Sequence, residues 1–312
     1  MAALRELFDE YMSECQYVRR LRPATLRTSM EAFKHLASLV PEIEGAEDLT
    51  HSLLTVFFRR LQTRHRVVGK GKVATGIRDS TMLSYASRLG TFFKWLKCRG
   101  HIGASPLEGI ALPKPLFVDK RALTGEEIRR IMGAAAQIAP NAFLLKRDMA
   151  MIGVLTFCGL RRNELVSLEV QDVDLFSGFI TVQPETSKSK RLRKVPINQH
   201  LKMYLREYLE ERRRRGCKSS YLFVANARDK KLELPGIKHW VRRLSKASGI
   251  KFHVHRFRHT FATNLAMRDV GAIKIQKLMG HMDLKMTQTY LRSVSTEEMA
   301  EDVNKLSYEG LA

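Results

Sequence analysis

Long apolar runs are missing from this chain. No stretch approaches the ~18–20 uninterrupted apolar residues of a membrane span, so a transmembrane anchor is not expected. Cysteine is scarce: Cys15, Cys98, Cys158 and Cys217 are widely separated and form no C-x-x-C pair. That spacing argues against a disulfide frame or a zinc site and suits reduced thiols. The opening MAALRELFDEYMSE carries acids early and lacks the basic-then-apolar plan of a secretory leader. These absences together read as a soluble cytoplasmic protein. Acidic residues are also few, 32 against 54 Lys and Arg, which leaves a net charge of +22. Such an excess most often meets a polyanion, with nucleic acid the leading candidate. A ribosomal or membrane-surface protein has the same balance, so charge alone names no mechanism. With 44% apolar residues the chain fills ordinary cores, which excludes wholesale disorder, and 312 residues suggest about two domains at roughly 100–200 residues each.

The first third reads as helices. Leu26, Met30, Phe33, Leu36 and Val40 follow helical spacing between Pro23 and Pro41. Met82, Ala86, Leu89, Phe93 and Leu96 do the same, with Asp79 or Ser80 placed to cap and Gly100 placed to end the helix. Between them, residues 64–78 hold five Lys/Arg, three glycines and no acid, which reads as a flexible basic loop, either solvated or against DNA. It is no nucleotide loop: Gly71 and Gly76 have the right separation, but Ile77 and Arg78 stand where Lys and Ser/Thr are needed. Residues 105–119 hold three prolines without helical periodicity and suit an extended linker, placing a domain break near residue 113.

Thr124 and Glu127 have the spacing of a capping box that opens a new helix. An apolar helix is expected from about Ala142 to Phe157, stopping near Gly159. Strands are expected at Phe179–Val182 and Arg193–Ile197, joined by a turn dense in Ser and Lys, with a short strand at Tyr221–Val224. Arg212–Arg215 reads as a solvated helix end favourable to the dipole, with DNA contact as the alternative. From Pro235 onward the pattern is helical.

Four local patterns in this second half carry chemistry. In Cys158-Gly-Leu-Arg-Arg-Asn-Glu-Leu165 a helix breaks at Gly159 and Arg161 opens the next, against the dipole preference. The turn Thr186–Arg191 presents Lys188 at its tip. His253-Val-His-Arg-Phe-Arg-His259 is the third, and Leu278-Met-Gly-His281, with Tyr290 nine residues on, is the fourth.

These patterns resemble the tyrosine recombinases, or phage integrases. Arg161 sits in a G-L-R-x-x-E-L segment, with Glu164 and Leu165 following. Lys188 stands seven residues before Val195-Pro196. The H-x-x-R-H-T box is matched by His255, Arg258, His259 and Thr260, and the L-x-G-H box supplies His281 ahead of Tyr290. Each box alone is weak; all four in order are specific. Arg256 and Met279 fill positions where the family more often has Asp or Lys, and Leu, and Leu291-Arg292 replaces a frequent Thr-His pair. These departures touch substrate preference and remove no group the chemistry needs.

The resemblance implies a mostly α fold with a small β-sheet. It comprises a helical DNA core-binding domain over 1–112 and a mixed α/β catalytic domain over 113–312, whose tail, with Met299, Val303 and Leu306 at helical spacing, is exchanged between protomers. It implies Arg161, Lys188, His255, Arg258, His281 and the nucleophile Tyr290 as the catalytic set. Cutting a phosphodiester while keeping its energy calls for a covalent intermediate, which a tyrosine hydroxyl provides. Two permanently charged guanidiniums suit the extra negative charge of the transition state, so neither cofactor, metal nor ATP is expected. Lys188 is the expected acid for the leaving 5′-oxygen, and His255 and His281 are expected to serve the phosphate or the tyrosine proton.

Simpler readings compete. His255 and His259 have the spacing of a helical zinc pair, but Arg256 stands where a Glu is expected and Arg258 adds a further cation. His259 and Glu164 read as structural, His253 as loop chemistry, and the pair Asp172 and Asp174 as a solvated turn. Tyr85, Tyr204 and Tyr208 read as half-buried helix tyrosines. The implied function is a site-specific recombinase working on double-stranded DNA as a homotetramer through a Holliday junction, with accessory DNA-bending proteins as further partners. Integration or excision of a phage or mobile element, and Xer-type dimer resolution, both remain open. A tyrosine-type topoisomerase and a non-catalytic DNA-binding regulator are the remaining alternatives.

Overall fold

The computed structural model describes residues 3–69, 71–113, 121–185, 191–225 and 229–281, with positions 283 and 287. The chain divides into two compact units, Met1–Phe117 and Val118–Ala312. No helix among the described residues is long and apolar enough to cross a membrane.

The first unit is built from α1 (Leu4–Ser13), α2 (Pro23–Leu39), α3 (His51–Thr63) and α4 (Asp79–Cys98). Each buries one stripe, such as Leu54, Phe57, Phe58 and Leu61 on α3, so the four faces close one core. Pro23 opens α2 at a position where its missing N–H has no helical partner to lose. Arg78, not Asp79 or Ser80, is the N-cap of α4; the two polar residues lie in its first turn, and Gly100 follows its end at φ +78°.

Two expectations change here. Within residues 64–78, β1 (His65–Val68) pairs antiparallel with β2 (Lys72–Thr75), Val67 opposite Val73. The β-branched residues prefer extended backbone, and that preference outweighs the glycines and the charge. The stretch taken for an extended linker begins with a turn, in which Ile110 N–H donates to Leu107 O, and Leu107, Ile110 and Leu112 pack on the helical core. Residues 114–119 of it lie outside the described residues.

In the second unit the Thr124/Glu127 capping box opens α5 (Gly125–Ile138) as expected, with reciprocal bonds of 2.9 and 3.1 Å. At its centre α6 (Ala142–Cys158) is apolar on nearly every face and packs against α5, α8 (Gln199–Arg214) and α10 (Val254–Ala266). Gly159 ends it in the left-handed region, φ +57°. The short α7 (Arg162–Ser167) follows. A three-stranded antiparallel sheet orders β3 (Val173–Asp174), β4 (Phe179–Val182) and β5 (Arg193–Pro196), with Ile180 opposite Val195 and Val182 opposite Arg193. Its buried face carries Ile180, Val182 and Val195. Then come α9 (Leu234–Ser248), α10 and α11 (Ala272–Met279).

The basic run at the end of α8 is not uniformly solvated. Arg212 is 4% exposed and donates to Leu222 O and Ser219 O at 3.2 and 2.8 Å. It follows Leu201, Leu205 and Tyr208 on the inward face, whereas Arg214 pairs with Glu211 and Arg215 lies over the Phe143 ring. Tyr208 is fully buried rather than half-buried and donates to Leu222 O. Tyr221 and Val224 make only isolated bridges, to Glu169 and Lys231. Asp172 is buried, not solvated, and accepts from the Glu169 N–H and the Gln183 side chain. The exposed Asp174 caps the turn at Phe176 and Ser177.

Candidate active site

Arg161, His255, Arg258 and His281 converge through the ends of α6, α7, α10 and α11. His253 precedes α10 as its N-cap, with Nδ1 accepting the Arg256 N–H at 2.9 Å, so this histidine is a helix cap rather than loop chemistry. The next turn places Arg258 and His259 inward, while His255 stays exposed. His259 is buried with its Nδ1 3.4 Å from Thr263 Oγ1, in keeping with a structural role. Thr260 accepts the Leu123 N–H at 2.8 Å and donates to Arg256 O, pinning the chain before α5 to this helix.

The Arg258 side chain is 1% exposed. Its guanidinium bridges two helix ends, Nη1 donating to Gly159 O at 2.8 Å and Nη2 to Met279 O. Arg161 uses Nη2 on the next carbonyl, Gly280 O, at 3.0 Å. The two guanidiniums are thus held on consecutive carbonyls at the end of α11, where helix dipoles favour cations. Glycine is required at both helix ends. A Cβ on Gly159 would strike the Phe261 ring, and one on Gly280, at φ +63°, would lie 3.0 Å from Arg193 Nη1.

Glu164 is buried beneath Arg161 and accepts its backbone N–H at 2.8 Å and its Nη1 at 2.9 Å. The structural role expected of Glu164 is therefore met, and it has a second partner that the sequence reading missed. Arg193 of β5 donates Nη1 and Nη2 to the same carboxylate at 3.1 and 2.7 Å. Burial alone would raise the Glu164 carboxyl, but hydrogen bonds and charge from Arg193 and Arg161 overcome it and hold the pKa at about 2. Arg193 was detectable in the sequence as an arginine in phase with the buried Val195.

His281 is 7% exposed, with Nδ1 2.9 Å from Thr287 Oγ1. Burial first, then the charges of Arg258, Arg161 and Arg193 and the His255 ring, push its pKa down to about 3. It is a neutral imidazole at ordinary pH. Lys188 and Tyr290 lie outside the described residues, as do the tail positions Met299, Val303 and Leu306. Among the described residues, no group of three or more His, Cys, Asp or Glu is placed to hold a metal ion.

Residues 121–297 match the model of the phage integrase family. The chain belongs to the phage integrase family. Membership makes it a tyrosine site-specific recombinase. Similarity to other family members extends over nearly the whole length. Tyrosine recombinase XerC of Escherichia coli O1:K1 / APEC is 28% identical over 296 residues, covering 93% of this chain and 92% of the relative. The Tn1549 transposon integrase in complex with transposon right-end DNA has a similar fold, with a TM-score of 0.76, 17% identity and coverage of 98% and 99%. A λ integrase tetramer bound to a Holliday junction is similar at a TM-score of 0.69 with 20% identity, covering 94% of this chain and 79% of that one. The expected mostly α integrase fold with a small sheet is therefore found.

Proposed function

We propose that this integrase-family enzyme cuts and rejoins duplex DNA through a 3′-phosphotyrosine at Tyr290. The observation that carries the reading is the pair of guanidiniums, Arg161 and Arg258, fixed on the adjacent carbonyls of Gly280 and Met279 beside a buried neutral histidine. In this scheme the Tyr290 oxygen attacks phosphorus, the bond to the 5′-oxygen breaks, and Lys188 supplies the proton that oxygen takes up. The arginines bind the non-bridging oxygens, which gain charge in the transition state. His281, neutral in the free protein, offers a hydrogen bond to a phosphate oxygen, and His255 at the exposed edge serves the phosphate or the Tyr290 proton. Reversal with the 5′-hydroxyl of a second strand completes exchange, so no external energy source enters.

Residues 1–112 act as the DNA core-binding domain and 113–312 as the catalytic domain, with the tail exchanged between protomers of a tetramer. The λ integrase tetramer bound to a Holliday junction supports the tetramer. The +22 charge suits extensive phosphate contact, and with the transposon integrase fold it favours integration or excision of a mobile element. Near full-length similarity to XerC supports a second reading, dimer resolution at a chromosomal site.

The test is SDS-trapped adduct formation on duplexes from the DNA flanking the gene, in EDTA, comparing wild type with Tyr290→Phe. An adduct present only in wild type is the expected result. Binding without an adduct would leave the regulator reading standing. Sequencing the trapped DNA separates the two roles: element–chromosome junctions for the first, one chromosomal locus with unchanged flanks for the second.

A further inference from the structure

Arg193 occupies a place in β5 where the alternation of buried residues calls for a hydrophobe. It lies opposite Val182 and shares an inward face with Val195, yet it carries a full charge at 8% exposure. Burying a guanidinium there is costly unless every direction is answered. Each one is. Nη1 and Nη2 grip Glu164 in a bidentate fork, and Nε donates to Leu278 O at 3.0 Å. The side chain lies against Gly280, where an added Cβ would meet Nη1 at 3.0 Å, Cδ at 3.2 Å and Cζ at 3.3 Å.

One side chain therefore fastens three segments together: the strand that begins five residues after Lys188, the start of α7 with Arg161, and the turn at 278–281 with His281. It also settles a charge question. Glu164 is itself buried and anionic, and with Arg161 as its sole cationic partner it would cancel the charge that the phosphate is to meet. With Arg193 on its far side, the group Arg161–Glu164–Arg193 keeps one net positive charge.

From this we infer that Arg193 is a positioning residue for the recombination chemistry, which balances Glu164 so that Arg161 keeps its charge for phosphate and which locks the His281 turn in place. The catalytic part of this inference rests on the function proposed above; the structural tie does not.

The test uses the full chain with Arg193→Lys, Arg193→Met, Glu164→Gln and the double variant Glu164→Gln/Arg193→Met. Native-state hydrogen exchange is read first, without DNA. In Arg193→Lys, amides at 161–165 and 278–281 should exchange at least tenfold faster, with α8 and α9 unchanged. Single-turnover adduct formation is read next on a trapped duplex. Arg193→Met should slow it at least a hundredfold with DNA affinity within about threefold of wild type. Removing the carboxylate charge should recover at least tenfold of that in the double variant, whereas a merely structural arginine would give additive losses. Should Arg193→Met fail to fold, Arg193→Gln carries the same comparison. Wild-type exchange at 278–281 in the Arg193 variants overturns the inference, as does a wild-type cleavage rate in the variant that removes the charge. No adduct in wild type overturns the proposed function instead, and exchange then decides the tie by itself.

Discussion

Gly159→Ala is the sharpest single perturbation this structure offers. The residue ends α6 at φ +57°, where an L-residue other than glycine costs roughly 1–2 kcal/mol. The new methyl would lie 2.8 Å from Phe261 Cγ and 3.1 Å from its Cβ, so the ring or α10 must move. Overpacking of that kind costs about 1–3 kcal/mol. Together they predict a loss of about 2–5 kcal/mol from the second unit. The displacement falls on the helix that carries Arg258, whose Nη1 is anchored on the Gly159 carbonyl. A misplacement near 1 Å is worth about a hundredfold in rate, so adduct formation should fall at least tenfold even where the protein is fully folded. Urea unfolding followed by indole fluorescence measures the first effect. Trp95 and Trp240 fall in different units, so a Trp95→Phe background leaves Trp240 to report on the second. Gly133→Ala is the internal control. Gly133 lies inside α5 with nothing within 4 Å of a Cβ, and alanine there should stabilise by about 0.5–1 kcal/mol. A Gly159→Ala protein within about 0.5 kcal/mol of wild type would refute the argument from φ and from Phe261 alike.

Two further outcomes are expected. His281 should titrate in NMR with a midpoint near 3, and a midpoint near 6.5 would show that its burial and its three arginine neighbours have been misjudged. Because its folded pKa is depressed, the unfolded chain takes up the proton first as pH falls below about 6.5. This group should therefore remove at most ~1.4 kcal/mol of stability per pH unit between there and about 3, and nothing above it. Arg212→Gln should destabilise the second unit by about 1–3 kcal/mol, because its guanidinium answers buried carbonyls. It should leave the salt dependence of DNA binding unchanged; a slope reduced by about one ion would place Arg212 on the DNA.

What could be read from the sequence depended on how local the signal was. The Thr124 capping box, the break at Gly159 and the strands at 179–182 and 193–196 follow from neighbours a few residues apart, and all are present. The four boxes that resemble the family are legible by spacing, and the fold brings together Arg161, His255, Arg258 and His281. Lys188 and Tyr290 rest on spacing alone. The signal is weaker where charge masks phase. Four consecutive arginines in α8 look alike in composition, but only Arg212 continues the Leu201, Leu205, Tyr208 stripe. In the same way Arg193 sits in a basic run with Arg191 and Lys194, although it keeps step with Val195. The hairpin at 65–75 was hidden by its lysines and glycines, which are as common in loops as at hairpin tips.

The anchoring of Arg258 has a consequence for the timing of activity. Its guanidinium is held by Gly159 O at the end of one helix and by Met279 O at the end of another, 120 residues later in the chain. Neither helix alone can fix it. During synthesis Arg258 has no second anchor until α11 has emerged and docked, by which time nearly all of the second unit is assembled. A stalled, truncated or half-melted chain therefore holds a loose arginine rather than a cutting site. For a recombinase, competence to cut arrives only with the complete fold.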